Sequence, residues 1–346
     1  MKITTIGIDL AKTVFQVHGV DERGKVLLRK QLRRKDVAVF FANLEPCLIG
    51  MEACGSAHYW GRTLSVLGHT VRLIAPQFVK PYVKTNKSDR NDAEAICEAV
   101  GRPSMRFVPI KSAEMQAVLA LHRARQGFVK ARTAQANQVR GLLSEFGIVI
   151  AKGIGHIGKR LPEILEDGEN VLPAMMRQLL RRLGENLKEM DDQVSQLERQ
   201  IKLWHRDNEQ SSELEAIAGI GPITASAFVA TVGDVKSFKN ARQVPAWLGI
   251  VPRHKGTGGK AMLGGISKRG DAYLRTMLIH GARSVVAQLE RKPDVSDGWL
   301  QRLVARRNKN IAAVALAAKN ARIAWAVLAH ERSYERDYVA RRAATA

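Results

Sequence analysis

The order of strands and helices in the first 110 residues restricts the fold more than any other feature of the sequence. Apolar runs that are β-branched or alternate with polar residues predict three strands joined by turns, at 3–11, 13–21 and 25–33. Helices and strands then alternate: a helix at 36–44, a strand at 46–53, a helix at 56–68, a strand at 69–76 and a helix at 91–100. This βββαβαβα order predicts an α/β domain with a mixed sheet.

Two acidic residues, Asp89 and Asp92, lie where the last of these helices begins, in SDRNDAEAI, although the chain has 55 Lys+Arg against 33 Asp+Glu. One explanation is local, because acidic residues and Ser88 can cap a helix N-terminus and offset its dipole. The other is metal binding. Side chains three residues apart on a helix are neighbours, with Cβ atoms roughly 5–6 Å apart. That spacing suits two oxygen ligands of a hard cation such as Mg²⁺.

Two further carboxylates belong to predicted strands. Asp9 lies in IGIDLAK, where an unpaired charge is costly, so that an ion pair with Lys12 or a bound metal would explain it. Glu52 ends the fourth predicted strand, in IGMEACG, a position where α/β sheets place ligand-binding groups. With Asp89 and Asp92 they predict a two-cation site that flanks a scissile phosphate. Mg²⁺ is the expected ion and Mn²⁺ the alternative.

The positive charge is concentrated in the last third of the chain. Residues 236–346 carry 22 Lys+Arg and 7 Asp+Glu, a net charge of +15 out of +22 for the whole chain. This asymmetry predicts a polyanionic partner, and nucleic acid is the usual one. An anionic membrane is the alternative, but no basic amphipathic helix with a Trp/Phe/Leu face stands out. The apolar stretch 311–328 contains Lys319, Asn320 and Arg322, which predicts a packed helix and no membrane span.

The cysteines and the N-terminus favour a cytoplasmic protein. Three cysteines without a CxxC pair predict neither a disulfide framework nor a thiolate zinc site. Asp9 and Lys12 interrupt the apolar N-terminal stretch, so no secretory signal peptide is expected.

The middle of the chain is predicted to be helical. Residues 112–147 and 171–206 are long, charged and nearly free of Gly and Pro, which favours two antiparallel helices. They would form a coiled-coil arm or, alternatively, two plain helices of a bundle. The glycine-rich stretch 151–170 between them is expected to be irregular.

Two glycine-containing motifs follow in a compact helical region. In IAGIGPITASAFVA (217–230), Gly219 and Gly221 separate two apolar helical patterns and resemble a helix-hairpin-helix turn, whose backbone N–H groups bind phosphate. A simple tight turn is the alternative. In PRHKGTGGKAMLGGISKRGD (252–271), glycines and basic residues surround two hydroxyl-bearing residues, Thr257 and Ser267. The basic residues are Arg253, Lys255, Lys260, Lys268 and Arg269. The segment is expected to be a flexible loop that binds phosphate and supplies a hydroxyl nucleophile, or else a solvated basic loop.

The ordered set IGIDLAK, IGMEACG, SDRNDAEAI, GIGPITA, WLGIVPR and GGISKRGDAYLR resembles the DEDD transposases of the insertion-sequence 110 family, nearer its 1111 subgroup. The resemblance covers nearly the whole chain. It implies a RuvC-like, RNase H-type catalytic domain (1–110), a coiled-coil arm (111–211) and a helical C-terminal transposase domain (212–346). It also implies that Asp9, Glu52, Asp89 and Asp92 are the metal-binding tetrad of an enzyme that cleaves and exchanges DNA strands.

The resemblance further implies a serine nucleophile, a structured guide RNA, double-stranded donor and target DNA, and a homodimer or homotetramer. Alignment places Thr257 at the serine position, with Ser267 or an impaired copy as the alternatives. A RuvC-like junction resolvase and a non-catalytic nucleic-acid scaffold are the alternative functions. IGIDLAKT also resembles the first phosphate loop of actin-like sugar kinases, whose later adenosine-binding motifs are not visible.

Overall fold

The computed structural model describes residues 2–84, 89–257, 260–289, 291 and 298–335. The chain divides into two compact units. Unit 1 comprises Met1–Gln116 and Val232–Ser237, and unit 2 comprises Ala117–Thr231 and Phe238–Ala346. In the described residues the protein is a mixed α/β structure with eight strands and thirteen α-helices, which confirms the predicted combination of an α/β sheet with further helices. The division into segments 1–110, 111–211 and 212–346 stays a prediction.

Unit 1 contains a six-stranded mixed sheet and four helices. Its elements are β1 (Thr5–Asp9), β2 (Val14–Val20), β3 (Val26–Arg33), α1 (Val37–Ala42), β4 (Leu48–Glu52), α2 (Ala57–Val66), β5 (Thr70–Ile74), α3 (Pro76–Val79), α4 (Asp89–Val100) and β6 (Phe107–Val108). The strand order is β3-β2-β1-β4-β5-β6, with β1, β4 and β5 parallel and the other pairs antiparallel. All five predicted strands and all three predicted helices of this region are confirmed, whereas α3 and β6 were not predicted.

The two faces of the sheet are covered differently. On one face, Ile6, Ile8 and Met51 are fully buried in a core that also contains Trp60 and Leu64 of α2. The opposite face carries the alternate residues of the strands, and α4 packs on it.

Two glycines allow α4 to lie directly on the sheet. Gly7 of β1 and Gly50 of β4 are partners in the parallel register. A methyl group on Gly7 would lie 2.2 Å from the carbonyl oxygen of Ala93, and one on Gly50 would lie 2.7 Å from Cβ of Val100. Helix α4 therefore occupies the space that side chains at these two positions would fill.

We expect Gly7→Ala to lower the free energy of unfolding by about 1–3 kcal/mol or more, since α4 must move away from β1. Gly55→Ala is the matched control, because a methyl group there meets no atom within 4 Å. It should change stability by less than about 0.5 kcal/mol. Urea denaturation followed by circular dichroism measures both. Equal stabilities for the two variants would contradict the packing described for α4.

The remaining elements belong mainly to unit 2. They are α5 (Ala113–Ser144), α6 (Ile154–Glu166), α7 (Ala174–Asp207), α8 (Glu209–Leu214), α9 (Pro222–Val232), α10 (Gln243–Leu248), β7 (Pro252–Thr257), β8 (Lys260–Ile266), α11 (Ala272–Leu289), α12 (Gly298–Arg306) and α13 (Lys309–His330). The prediction that residues 151–170 are irregular is wrong, because they contain α6. The predicted flexible loop 252–271 is also wrong, because β7 and β8 form an antiparallel hairpin within it.

The long helices α5 and α7 run antiparallel, as predicted. The guanidinium of Arg125 donates to Glu198 at 2.5 Å, and Gln135 donates to the carbonyl of Leu183 at 2.7 Å, so residue numbers rise on one helix as they fall on the other. Helix α6 packs beside α7 through buried Ile157, Leu161 and Ile164, whose helical spacing gives it one apolar face. Burial of that face outweighs the roughly 1 kcal/mol that each glycine costs in a helix.

Helix α13 is the one helix in the described residues that is long and apolar enough to cross a membrane. Half of its most apolar stretch is buried inside the protein. The amide of Asn320 is also buried there, and it donates to the carbonyl oxygen of Ala218 at 2.8 Å. These contacts are those of a core helix.

Candidate functional site

Three carboxylates meet at the end of β1. Asp9 is the last residue of β1, and Asp89 and Asp92 lie in the first turn of α4. One carboxylate oxygen from each residue can be chosen so that all three lie within 4.8 Å of one another. The contact of α4 with Gly7, two residues before Asp9, brings this first turn to the strand end. Ser88, the predicted alternative helix cap, lies outside the described residues.

The electrostatics of Asp9 show that these carboxylates repel one another. The pKa of Asp9 is raised from 3.8 to about 6. Burial is the largest cause, and the negative charges of Asp92, Asp89 and Glu52 act in the same direction. A hydrogen bond from the backbone of Leu10 acts in the opposite direction. Three close oxygen donors with an unfavourable concentration of negative charge fit the ligand preference of hard divalent cations.

Glu52 lies near this group without belonging to its compact part. It ends β4, the strand beside β1. Burial is the main cause that raises the pKa of Asp9 and of the Cys54 thiol, and the charge of Glu52 adds to it at both residues. The ion pair considered between Asp9 and Lys12 does not occur among the described residues, in which Lys12 is exposed. The strand carboxylate therefore has its close charged neighbours on α4.

The raised pKa of Asp9 predicts a pH-dependent stability. Between pH 3.8 and about 6 the folded protein binds more protons at Asp9 than the unfolded chain, so the contribution of Asp9 to stability falls as pH rises. In EDTA at pH 8, Asp9→Asn should therefore unfold at a higher temperature than the wild type. The difference should shrink as pH falls through 6 toward 4.

Thermal unfolding across this pH range measures the effect, and Asp207→Asn at the exposed end of α7 is the control. The control should follow the wild type at every pH. An Asp9→Asn protein that is less stable than the wild type at pH 8 in EDTA would contradict the repulsion.

The two glycines between α8 and α9 have different surroundings. Gly219 has φ +90°, and a methyl group on Gly281 of α11 would lie 1.8 Å from its carbonyl oxygen. A methyl group added to Gly221 would meet no atom within 4 Å, and the Gly221 carbonyl oxygen accepts from the N–H groups of Thr224 and Ala225 at the start of α9. Gly219 is thus required for packing, whereas the surroundings of Gly221 leave room for a ligand.

We expect Gly281→Ala to destabilise the protein by about 1–3 kcal/mol or more, because the added methyl overlaps the backbone of Gly219. Gly221→Ala should leave the free energy of unfolding within about 0.5 kcal/mol of the wild type. Chemical denaturation of both variants tests the contrast. Similar destabilisation by the two substitutions would refute the separate roles of the two positions.

The β7–β8 hairpin separates the two candidate hydroxyl residues. Thr257 pairs with Lys260 at the outer end of the hairpin, whereas the Ser267 amide donates to Val251 at its base, at 2.9 Å. The six residue steps from Val251 to Thr257 correspond to roughly 20 Å of extended chain. One phosphate therefore cannot be within reach of both residues in this conformation. The side chains of Lys255, Thr257 and Lys260 lie outside the described part of the structure.

The base of this hairpin carries a basic cleft of about 500 Å³, lined by Arg253, Gly264, Gly265, Ile266 and Lys268. Arg253 and Lys268 are exposed, and Arg269 is exposed beside them. The segment after Ser267 is held by close backbone packing. A methyl group on Gly270 would lie 2.0 Å from the carbonyl oxygen of Trp247. Three of the predicted nucleic-acid-binding residues therefore lie at the base of the hairpin, where Ser267 also lies.

A further arrangement, absent from the sequence-based predictions, has the hydrogen-bond order of a serine–histidine–acid triad. His205 Nδ1 lies 2.7 Å from Ser211 Oγ, and its Nε2 lies 2.9 Å from Glu215 Oε2. Ser211 is fully buried, so its hydroxyl cannot reach a substrate. The three residues connect the end of α7 to α8 and serve the fold.

Comparison with known proteins identifies the family. Residues 6–148 match the transposase family of DEDD IS110 type, and residues 211–296 match the family described as Transposase IS116/IS110/IS902. The chain is 55% identical to the probable family 20 transposase of Pseudomonas aeruginosa, over 96% of this chain and 99% of that protein. It is 44% identical to the transposase for insertion sequence element IS1111A of Coxiella burnetii, over 96% of this chain and 91% of that protein. The chain belongs to the IS110/IS116/IS902 family of transposases.

Family membership confirms the resemblance noted in the sequence and excludes the sugar-kinase interpretation. Transposases cleave DNA and transfer its strands, so this transposase is an enzyme that binds DNA, and the DEDD family implies dependence on a divalent metal. The match over 6–148 includes Asp9, Glu52, Asp89 and Asp92, and the match over 211–296 includes Thr257 and Ser267. The roles of these individual residues stay predictions.

Proposed function

We propose that this transposase cleaves and exchanges the DNA strands of its insertion sequence at Asp9, Glu52, Asp89 and Asp92, in a RuvC-like domain of RNase H type. The observation that carries the proposal is the convergence of three carboxylates within 4.8 Å at the end of β1. Glu52 ends the adjacent parallel strand and acts on Asp9 electrostatically. The four residues come from three different elements of one unit, as expected of a built site.

The four carboxylates would hold Mg²⁺, with Mn²⁺ as an alternative. Bound divalent ions would stabilise the attacking and leaving oxygens of a phosphate undergoing in-line displacement. The protein contributes a fixed geometry, because β1 and β4 are interior strands and α4 lies against the glycines of both. Asp9 would bind a cation in its deprotonated form, so cation binding would release any proton that Asp9 holds.

We propose nucleic acids and further copies of the chain as the partners of this protein. The net charge of +15 over residues 236–346 supports double-stranded DNA as the ligand of that region. The DNA would contact the cleft at Arg253 and Lys268, and the turn at Gly221 would be a further contact. The family resemblance supports a structured guide RNA, a homodimer or homotetramer, and action in the bacterial cytoplasm. It also supports a coiled-coil arm built from α5 and α7 and a helix-hairpin-helix role for α8 and α9.

We expect Asp9→Asn, Glu52→Gln, Asp89→Asn and Asp92→Asn each to abolish strand exchange while DNA binding survives. Each substitution removes one anionic ligand and leaves the basic surfaces unchanged. Glu94→Gln on the same helix is the matched control, since Glu94 faces Arg29 at 3.6 Å and lies outside the carboxylate group. Recombination of a plasmid substrate in Mg²⁺, together with gel-shift binding in EDTA, measures both properties. An Asp89→Asn protein that exchanges strands at the wild-type rate would refute the tetrad.

We further propose that the hydroxyl oxygen of Thr257 attacks a DNA phosphate and forms a phosphodiester bond with it. The bond from that phosphate to a deoxyribose oxygen breaks, and the released oxygen leaves as a hydroxyl after it takes up a proton. Thr257→Ser should retain or raise activity, because it removes only a methyl group beside the reacting oxygen. Thr257→Val keeps the shape, loses the hydroxyl and should abolish the adduct. A denaturing gel detects the protein–DNA adduct, and mass spectrometry locates the modified residue. An adduct that survives in Thr257→Val and is lost in Ser267→Ala would assign the role to Ser267, beside the cleft of Arg253 and Lys268.

A further inference from the structure

Unit 1 contains a second cleft, on the face of the sheet opposite α4. It has a volume of about 390 Å³ and is lined by Arg34, Lys35, Ala38, Tyr59 and Trp60. Trp60 belongs to the core beneath α1 and α2, whereas the carboxylates lie with α4 on the other face. The cleft is therefore separate from the proposed catalytic site.

Two basic side chains, Arg34 and Lys35, line this cleft at the end of a basic segment. Residues 25–35 contain six basic and no acidic side chains, namely Lys25, Arg29, Lys30, Arg33, Arg34 and Lys35. Among the described residues, Arg34 and Lys35 form no ion pair with a carboxylate, whereas Arg29 and Arg33 each lie near one. The Arg34 guanidinium lies over the rings of Phe15 and Trp60, with centroid distances of 5.7 and 5.6 Å. These contacts position the guanidinium while leaving its charge uncompensated.

Two aromatic side chains, Tyr59 and Trp60, also line the cleft. The Tyr59 side chain is 52% exposed, and its ring meets Trp60 edge-on at 5.2 Å. Trp60 is only 4% exposed, and its indole Nε1–H has no hydrogen-bond acceptor among the described residues. Tyr59 is therefore the ring that a bound molecule can reach, whereas Trp60 supports it from the core.

We propose that this cleft binds an unpaired nucleotide of a single-stranded nucleic acid. The phosphate would contact Arg34 and Lys35, and the base would stack on Tyr59. Grooves that bind single strands combine positive charge with exposed aromatic rings in this way. The inference deepens the proposed function, in which nucleic-acid strands are separated and exchanged, but it does not depend on the carboxylates.

Photo-crosslinking of the full chain tests the site. The probes are 12-nucleotide oligomers of 5-iodouridine RNA and of 5-iododeoxyuridine DNA, applied in EDTA so that cleavage plays no part. Trypsin cuts after Lys35 and Arg62, and the peptide 36–62 contains both Tyr59 and Trp60. The same peptide contains Glu52 of the proposed catalytic site, so tandem mass spectrometry must locate the crosslink within it. We expect the crosslink on Tyr59 with at least one of the two probes, and the probe that reacts identifies the strand chemistry. No crosslink in this region with either probe would overturn the proposal.

Substitutions give the second arm of the test. Arg34→Ala/Lys35→Ala and Tyr59→Ala should each reduce crosslinking in this region about fivefold or more, whereas Tyr59→Phe should retain it. Arg23→Ala/Lys25→Ala is the matched control, because it removes two exposed positive charges near the other end of β3. Equal loss in the control would show a general charge effect and overturn the site. Asp89→Asn should crosslink normally, so failure of the catalytic proposal and failure of this one are distinguishable.

Discussion

The close approach of α4 to β1 and β4 determines where the carboxylates of unit 1 lie. Gly7 and Gly50 face each other in register, and the helix fills the space beside them. Catalytic groups must be held within about 0.5 Å of their productive positions. A side chain at either glycine would push α4 away from the sheet and shift its first turn, with Asp89 and Asp92. The geometry of the site therefore depends on two residues that have no functional group.

This arrangement makes the site a source of instability in the free protein. The carboxylates of Asp9, Asp89 and Asp92 are brought together with no basic side chain paired to Asp9 among the described residues, and the raised pKa of Asp9 reflects that cost. Groups arranged for function commonly oppose stability in this way. The packing of Ile6, Ile8 and Met51 on the other face of the sheet helps to offset the repulsion.

Sequence patterns predicted the elements of unit 1 well, because the apolar runs of β1 to β5 are short, strongly periodic and bounded by turns. They also drew attention to the carboxylates, since a charged residue such as Asp9 is unusual within an apolar strand. They could not show that Gly7 and Gly50 receive a helix, because that role depends on partners distant in sequence. Glycine content was misleading elsewhere. Because of its glycines, α6 was predicted to be irregular, although its apolar face is regular. The glycines of β7 and β8 suggested a loop, although a Gly-Gly pair between two extended segments is also a hairpin signal.

The ends of the sheet in unit 1 bear on how copies of the protein can associate. An edge strand offers unpaired N–H and C=O groups to a strand of another molecule, and natural proteins block such pairing with charge or with very short strands. Both devices occur here. At one edge, β3 carries Arg29, Lys30 and Arg33, so two copies would bring like charges together. At the other edge, β6 has only two residues. Continuous sheets formed through unit 1 of two copies are thereby disfavoured, so any self-association of unit 1 would use its helices and loops.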